Sequence, residues 1–236
     1  MGKSIVIHSR IQLPGEMTIN DFVIREATSG DIPFLVDTII QAEKSGTSIL
    51  TYTTIFGLTE GETRNYLARM LEEEIDGCEL SVSGFVLAEQ EGSIAGSVGA
   101  WVEGSEGVPS NVLKGNLLSY VLPHSCLERA VKLNSIVRDL HIDYAQDKIQ
   151  IGLVYVAPEA RGKGLVSILI DYKISMLKRL YPKANEAFIQ VFGNNIPAIR
   201  AYEKAGFEVI LRKTASLPET IKYMPDTCKI LMRKYI

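Results

Sequence analysis

Hydrophobic and polar positions change their period several times along the chain, and each change marks an element. The run Phe22-Val-Ile-Arg-Glu-Ala reads as a strand. Ile32, Leu35, Val36, Ile39 and Ile40 then recur at helical spacing, with Ser29 or Asp31 placed to cap the helix. A second helix is predicted after Thr59: Thr59 and Glu62 have capping-box spacing, and Leu67, Met70 and Leu71 form its apolar stripe. Residues 84–89 and 93–102 read as two strands joined by a polar Glu-Gln-Glu-Gly turn, which predicts a hairpin. Helical spacing returns over 112–144, interrupted at Pro123, and 148–156 is the next strand. Leu165, Leu169, Tyr172, Met176 and Leu180 are placed on one face of a long helix that Pro182 ends. A strand over 187–192 follows. Asn195 can cap a short helix with Pro197 in its first turn and Gly206 at its end. Two last strands occupy 207–213 and 228–235. The pattern predicts one α/β domain around a mixed sheet, without internal repeats.

Composition narrows this reading. A chain of 236 residues suits a single domain with a sizeable core. A net charge of −3 argues against a general nucleic-acid binder, which shows a basic footprint. Cys78, Cys126 and Cys228 are widely spaced and odd in number, so reduced thiols in a cytoplasmic protein are expected, with no disulfide framework and no metal site. No apolar stretch has the length to cross a bilayer, and no signal-peptide pattern opens the chain. Met1-Gly2 has the start of a myristoylation signal, but Val6 stands where Ser or Thr is preferred. Residues 1–21 are expected to form an N-terminal arm, with Met17 an alternative start. Residues 22–236 are expected to form the domain, with a helical insertion at about 103–148.

The candidate chemistry lies where an apolar strand meets a turn. Tyr155-Val-Ala-Pro-Glu-Ala-Arg-Gly-Lys-Gly164 runs from a strand through a glycine-rich turn into a helix. Free N–H groups at a helix start favour an anion, typically a phosphate. A P-loop is excluded: Gly162-Lys163 is followed by Gly164, and Ala157 stands where the leading glycine belongs. The dinucleotide fingerprint also fails, because Ser167 replaces its third glycine. By itself Gly-x-Gly is as well explained by a tight turn.

The flanking residues add weight. Val156-x-Pro-Glu-x-Arg-Gly-x-Gly164, followed by Asn195-x-x-Ala-Ile-x-x-Tyr-Glu-Lys-x-Gly-Phe207, resembles the GNAT superfamily of acyl-CoA-dependent N-acyltransferases. The resemblance is strong from Gln150 to Phe207 and extends to the N-terminal unit, the hairpin and the last strand. It does not cover residues 47–83 or 103–148. It implies a single GNAT-like domain, with a mixed, mostly antiparallel central sheet flanked by helices. It also implies that acetyl-CoA is the cosubstrate. Backbone donors in Arg161, Gly162, Lys163, Gly164, Leu165 and Val166 would bind the pyrophosphate, with the Ser167 hydroxyl adding to them. Val166 departs from the family's Gly or Ala; its side chain is expected to point into the core. A bulge would expose the backbone of Val154 and Val156 to the pantetheine arm, with the Val156 N–H polarising the thioester carbonyl. Asn195 would lie near the cofactor, or serve as a plain helix cap. Tyr202 would protonate the leaving thiolate, or be an ordinary core tyrosine.

The base is not fixed by the resemblance. Some family members carry a glutamate four residues before the first of those valines, and here that position is Gln150. Glu43, Glu103, His124 or a water chain remain, each of them more ordinarily a solvated residue. Glu72-Glu73-Glu74 has the charge to attract a cationic amine and the look of a solvated face. Tyr52, Phe56 and Trp101 are placed to line a substrate pocket or the core. His8 and His141 have no metal-ligand partners. The expected function is acetyl transfer from acetyl-CoA to a primary amine on a small molecule or peptide, with no metal, nucleic acid or membrane involved. The alternative is a non-catalytic acyl-CoA-binding sensor or interaction module, which Gln150 favours and Tyr202 opposes. The unmatched segments are expected to shape the acceptor pocket or a homodimer interface.

Overall fold

The computed structural model describes residues 17–19 and 21–236. Of the expected N-terminal arm, residues 1–16, with His8, lie outside the described residues. β1 (Met17–Ile19) is folded antiparallel onto β2 (Phe22–Glu26). Three helices follow: α1 (Ile32–Lys44), α2 (Thr51–Phe56) and α3 (Glu60–Glu72). The hairpin is β3 (Phe85–Gln90) and β4 (Ser93–Val102). The insertion is α4 (Ser110–Val121), α5 (His124–Lys132) and α6 (Asn134–Asp139). Then come β5 (Ile149–Val156), α7 (Leu165–Leu180), β6 (Glu186–Phe192), α8 (Ile196–Lys204), β7 (Glu208–Thr214) and β8 (Cys228–Tyr235).

The strands form one eight-stranded sheet in the order β1-β2-β3-β4-β5-β6-β8-β7. Among the described strands only β5 and β6 pair in parallel, with α7 as the crossover between them. The sequence pattern predicts a mixed sheet, and the resemblance implies that it is mostly antiparallel and flanked by helices, as it is here. Successive strand residues point to opposite faces, so one strand feeds two cores. Val86 and Ala88 join the core beneath α7 and α8, with Leu165, Leu169, Ile199 and Tyr202. Phe85 and Leu87 join the opposite core, with Ile39 and Ile40 of α1, Met70 and Leu71 of α3, and Leu117 of α4.

Local signals set most boundaries. Thr59 accepts from the Glu62 N–H at 3.2 Å while the Glu62 carboxylate accepts from the Thr59 N–H at 2.8 Å, so the capping box of α3 is formed. Pro123 breaks the insertion between α4 and α5, and the preceding Leu122 is extended, as the residue before a proline prefers. The stripe of α7 differs from the expected one. Its buried positions are Leu165, Leu169, Ile170, Lys173, Ile174 and Leu177, whereas Tyr172 and Met176 are half-buried and Leu180 is 72 % exposed. A lysine occupies the middle of the true stripe, so hydrophobicity alone rotated the face toward its flank.

Candidate active site

The sheet opens at β5. Its pairing with β6 covers only Ile149–Ile151 against Ala187–Ile189, and beyond Ile151 the two strands separate. On the other side β5 stays paired with β4, but the register shifts. Gly152 faces Gly99 and Tyr155 faces Ser97, so Leu153 and Val154 together oppose the single residue Val98. This is a β-bulge, with Leu153 in the left-handed region at φ +53°. The bulge presses β5 onto β4: a Cβ added at Gly96 would lie 2.8 Å from the Tyr155 carbonyl oxygen.

Bulge and separation together free the backbone of β5. Hydrogen-bonded and non-hydrogen-bonded pairs alternate along an antiparallel ladder. The Ala157 N–H donates to the Ala95 carbonyl at 2.9 Å, so Val156, opposite Gly96, turns its N–H and C=O away from β4. On that side no strand receives them. The Arg161 guanidinium donates to the Val156 carbonyl at 3.1 Å and leaves the N–H to the gap. Val154 and Val156 are themselves half-buried against the core, so what they offer the gap is backbone.

The glycine turn lies just beyond. Gly162 and Gly164 both have positive φ, +78° and +76°, and a Cβ at either would meet nothing within 4 Å. Arg161, Gly162, Lys163 and Gly164 are exposed, Leu165 is buried, and Val166 and Ser167 are half-buried. The Arg161 N–H donates to the Pro158 carbonyl at 3.3 Å, and the Ser167 N–H to the Gly164 carbonyl at 3.1 Å. Between them the N–H groups of Gly162, Lys163, Gly164, Leu165 and Val166 have no partner among the described residues. The Lys163 amine reaches Gln90 Oε1 at 3.1 Å. Val166 packs against the core beneath α7, so its branched side chain leaves the open face of the turn clear.

On the α1 side of the opening is a cavity of about 130 Å³, lined among others by Glu43, Trp101, Gln150, Gly152, Leu153 and Lys229. Glu79, Tyr144 and Gln190 complete its polar wall. Glu43 accepts a short hydrogen bond from the Thr51 hydroxyl. Glu79 pairs closely with Lys114 of α4 and receives the Tyr144 hydroxyl at 3.5 Å. Burial works against the charge on both partners, yet each outweighs it for the other. The Glu79 carboxyl stays below its usual range, and the Lys114 amine is held well above its own. Lys229 of β8 differs: burial lowers its amine, and Glu43 and Glu79 only partly offset this. Sequence patterning does not find Glu79, Lys114, Tyr144 and Lys229, because four separate segments bring them together.

The base candidates separate clearly. Glu43 lines the cavity. Glu103, expected in solvent, is 4 % exposed. It accepts from Trp101 Nε1 at 3.0 Å, from the Ser110 N–H at 2.9 Å and from the Ser110 hydroxyl. Those bonds make it an anchor between β4 and α4. His124 faces solvent beside Glu128. Gln150 is buried and donates to the Ala145 carbonyl at 3.3 Å. Among the aromatics, Trp101 lines the cavity and stands edge-on to Tyr144 at 5.3 Å, whereas Tyr52 is buried and stacks on Phe56 at 5.8 Å. Glu74 caps the turn at 81–83, accepting from the Ser83 N–H at 2.9 Å, while Glu72 and Glu73 are exposed.

Tyr202 lies on α8, 7 % exposed, and its hydroxyl has no hydrogen-bond partner among the described residues. Burial alone raises its pKa above the ordinary phenol value, so the hydroxyl stays protonated. Asn195 caps α8 by accepting from the Ala198 N–H at 3.3 Å, and its amide donates to the Ser45 hydroxyl at 3.1 Å. No group of three or more His, Cys, Asp or Glu side chains among the described residues is arranged to hold a metal ion. No described helix is long and apolar enough to cross a membrane.

Residues 53–207 match the profile of the Acetyltransferase (GNAT) family. No curated protein matches the chain in sequence. Among solved structures, an N-acetyltransferase from Staphylococcus aureus Mu50 is similar at 15 % identity and a TM-score of 0.60, over 89 % of this chain and 98 % of its own. A structure described as an acetyltransferase is similar at 15 % identity and a TM-score of 0.57, over 90 % of this chain and 98 % of its own. An apo mutant of agmatine N-acetyltransferase is similar at 14 % identity and 0.55, over 92 % of this chain and the whole of its own. At such identities these likenesses establish the fold.

Proposed function

The chain belongs to the acetyltransferase (GNAT) family and is an acyltransferase, and from that premise we propose that it moves an acetyl group from acetyl-CoA to a primary amine. The observation that carries this reading is the run of five N–H groups, residues 162–166, that have no partner among the described residues, beside the opening between β5 and β6. Phosphate oxygens suit such a run at a helix N-terminus. No neighbouring atom lies within 4 Å of where a Cβ at Gly162 or Gly164 would stand, which leaves the face of the turn uncrowded for the proposed diphosphate. Arg161 and Lys163 add positive charge at the same turn.

In this reading the steps divide among Glu43, Val156 and Tyr202. The acceptor amine loses its proton to Glu43, directly or through water, and its nitrogen forms a bond to the thioester carbonyl carbon. Charge developing on the carbonyl oxygen is met by the Val156 N–H, a fixed donor. When the carbon–sulfur bond breaks, the thiolate takes the Tyr202 proton, and CoA leaves as the free thiol. Asn195 then orients α8 and the hydroxyl it carries. Cys78, Cys126 and Cys228 are free thiols, in keeping with a cytoplasmic enzyme.

The test has two parts. Calorimetry should detect binding of CoA, and a panel of primary amines with acetyl-CoA should release free thiol above the amine-free rate, with an acetylated product seen by mass. A folded protein that binds no CoA species overturns the reading of the 162–166 turn. Binding without release for any amine overturns the transfer.

A further inference from the structure

The cavity beside the opening is lined by a cation that has no close counter-ion among the described residues. Lys229 lines it from β8, opposite Phe192 of β6, and its amine lies 5.8 Å from the centre of the Phe192 ring. Among the described residues it makes no hydrogen bond and no ion pair. Glu79, a second carboxylate on this wall, has its oxygens taken by Lys114 and Tyr144. Glu43 faces the same cavity and is engaged by Thr51. An amine kept in a half-buried wall with an aromatic face but no hydrogen bond or ion pair among the described residues is costly unless something arrives to meet it.

We propose that the acceptor is an amino-carboxylate, an amine that also carries a carboxylate, and that Lys229 is the group that recognises the carboxylate. The proposal rests on the acetyl-transfer reading and names the class of acceptor for that same site. The wall orders the two ends of such a molecule. Leu153 and Gly152 mark the bulge end of the cavity, where the thioester would sit, and Glu43 supplies the carboxylate that an ammonium group seeks. Lys229 meets the other end. A single negative charge fits this wall better than a phosphate: Lys229 is the lining cation, Glu79 is already neutralised by Lys114, and Glu43 adds a negative charge, so a dianion would meet one positive charge and be left in excess. A purely cationic diamine would place its second charge beside Lys229. An amino-carboxylate satisfies both charges at once, and the Trp101 ring offers an apolar flank.

Calorimetry with matched probes tests this independently of catalysis. L-lysine is compared with cadaverine, L-arginine with agmatine, and L-phenylalanine with phenethylamine, each in the presence of CoA. The carboxylate-bearing member should bind at least tenfold more tightly than its partner in the wild-type chain. Lys229→Gln should remove most of that advantage, and Lys229→Arg should keep it. Equal or weaker binding of every carboxylate-bearing probe overturns the inference, as does a preference that survives Lys229→Gln. Thermal melts show whether Lys229→Gln folds, and retention in Lys229→Arg decides the matter if it does not. Thiol release with the same probes separates the two proposals. Turnover without carboxylate preference sinks only the acceptor class, and Lys229-dependent carboxylate binding without turnover sinks only the transfer.

Discussion

The Asn195 side-chain amide donates to the Ser45 hydroxyl at 3.1 Å, joining the start of α8 to the end of α1. Asn194 adds a second tie, to the Ser45 carbonyl at 3.4 Å. The consequence is spatial. Glu43, two residues before Ser45, faces the cavity, and Tyr202 rides on α8. The proposed proton acceptor and proton donor are therefore held by helices tied to each other across the sheet opening.

Gly164→Asp should weaken CoA binding at least tenfold, about 1.4 kcal/mol. The substitution puts a carboxylate beside N–H groups proposed to meet phosphate. Aspartate tolerates positive φ better than most residues, so the fold should survive. Calorimetry with CoA reads the effect, and unchanged affinity in a folded variant would remove the turn from the binding site.

Tyr202→Phe should leave acetyl-CoA affinity nearly unchanged and lower the single-turnover rate, by roughly ten- to a thousandfold. Phenylalanine keeps the ring in the core and deletes only the donor. Because burial raises the Tyr202 pKa, the wild-type rate should show no loss from tyrosine ionisation up to about pH 10, the ordinary phenol value. Wild-type chemistry in the Phe variant would return Tyr202 to packing.

Glu43→Gln should reduce kcat/KM by roughly a hundredfold or more, within the usual range for a general base. Glutamine retains an oxygen for the Thr51 hydroxyl, so the loss should not come from unfolding. A rate unchanged across the amine panel would assign the proton to water.

Lys173 gives a pH signature. It is 3 % exposed and donates to the Ser83 carbonyl at 3.1 Å, and burial lowers its pKa from the ordinary 10.5 to about 8. Between those values the unfolded chain holds more protons than the folded one, so stability rises with pH. Relative to Lys173→Met, wild-type stability should climb from pH 8 to about pH 10.5, by at most about 3 kcal/mol. Below pH 8 the buried charge is a standing cost. Denaturant melts of both proteins across this window supply the check, and parallel curves would mean that Lys173 does not titrate there.

The Glu79–Lys114 pair docks α4 onto the cavity wall. Lys114→Met should destabilise by roughly 1–3 kcal/mol, less than the 3–5 kcal/mol for a fully buried pair, since both side chains keep some exposure. Adding Glu79→Gln should recover part of that loss, because the stranded carboxylate is removed. Purely additive single variants in a double-mutant cycle would show no coupling.

What the sequence discloses follows the range of the interactions involved. The capping box of α3, the Pro123 break and the Asn195 cap are local, and their residues stand within a few positions of one another. The glycine turn is legible for the same reason, since backbone conformation at Gly162 and Gly164 is a short-range property. The face of α7 was not legible, because a buried lysine interrupts its stripe. Nor was the polar wall: Lys114 and Glu79 stand 35 positions apart, and Lys229 arrives on the last strand. Glu103 looked like a solvated loop residue because its partners, Trp101 and Ser110, gather around it only when α4 folds back on β4.

The bulge at Leu153 amounts to one residue of arithmetic. Two positions of β5 answer one of β4, and from there β5 keeps a partner on one side only. The gap proposed to admit substrate is thus written into strand register. The α4–α6 insertion, expected to shape the acceptor pocket or a homodimer interface, therefore takes no part in opening the gap. Deleting Leu153 alone would bring the two strands back into step. The gap where the thioester would sit would then have no reason to stay open.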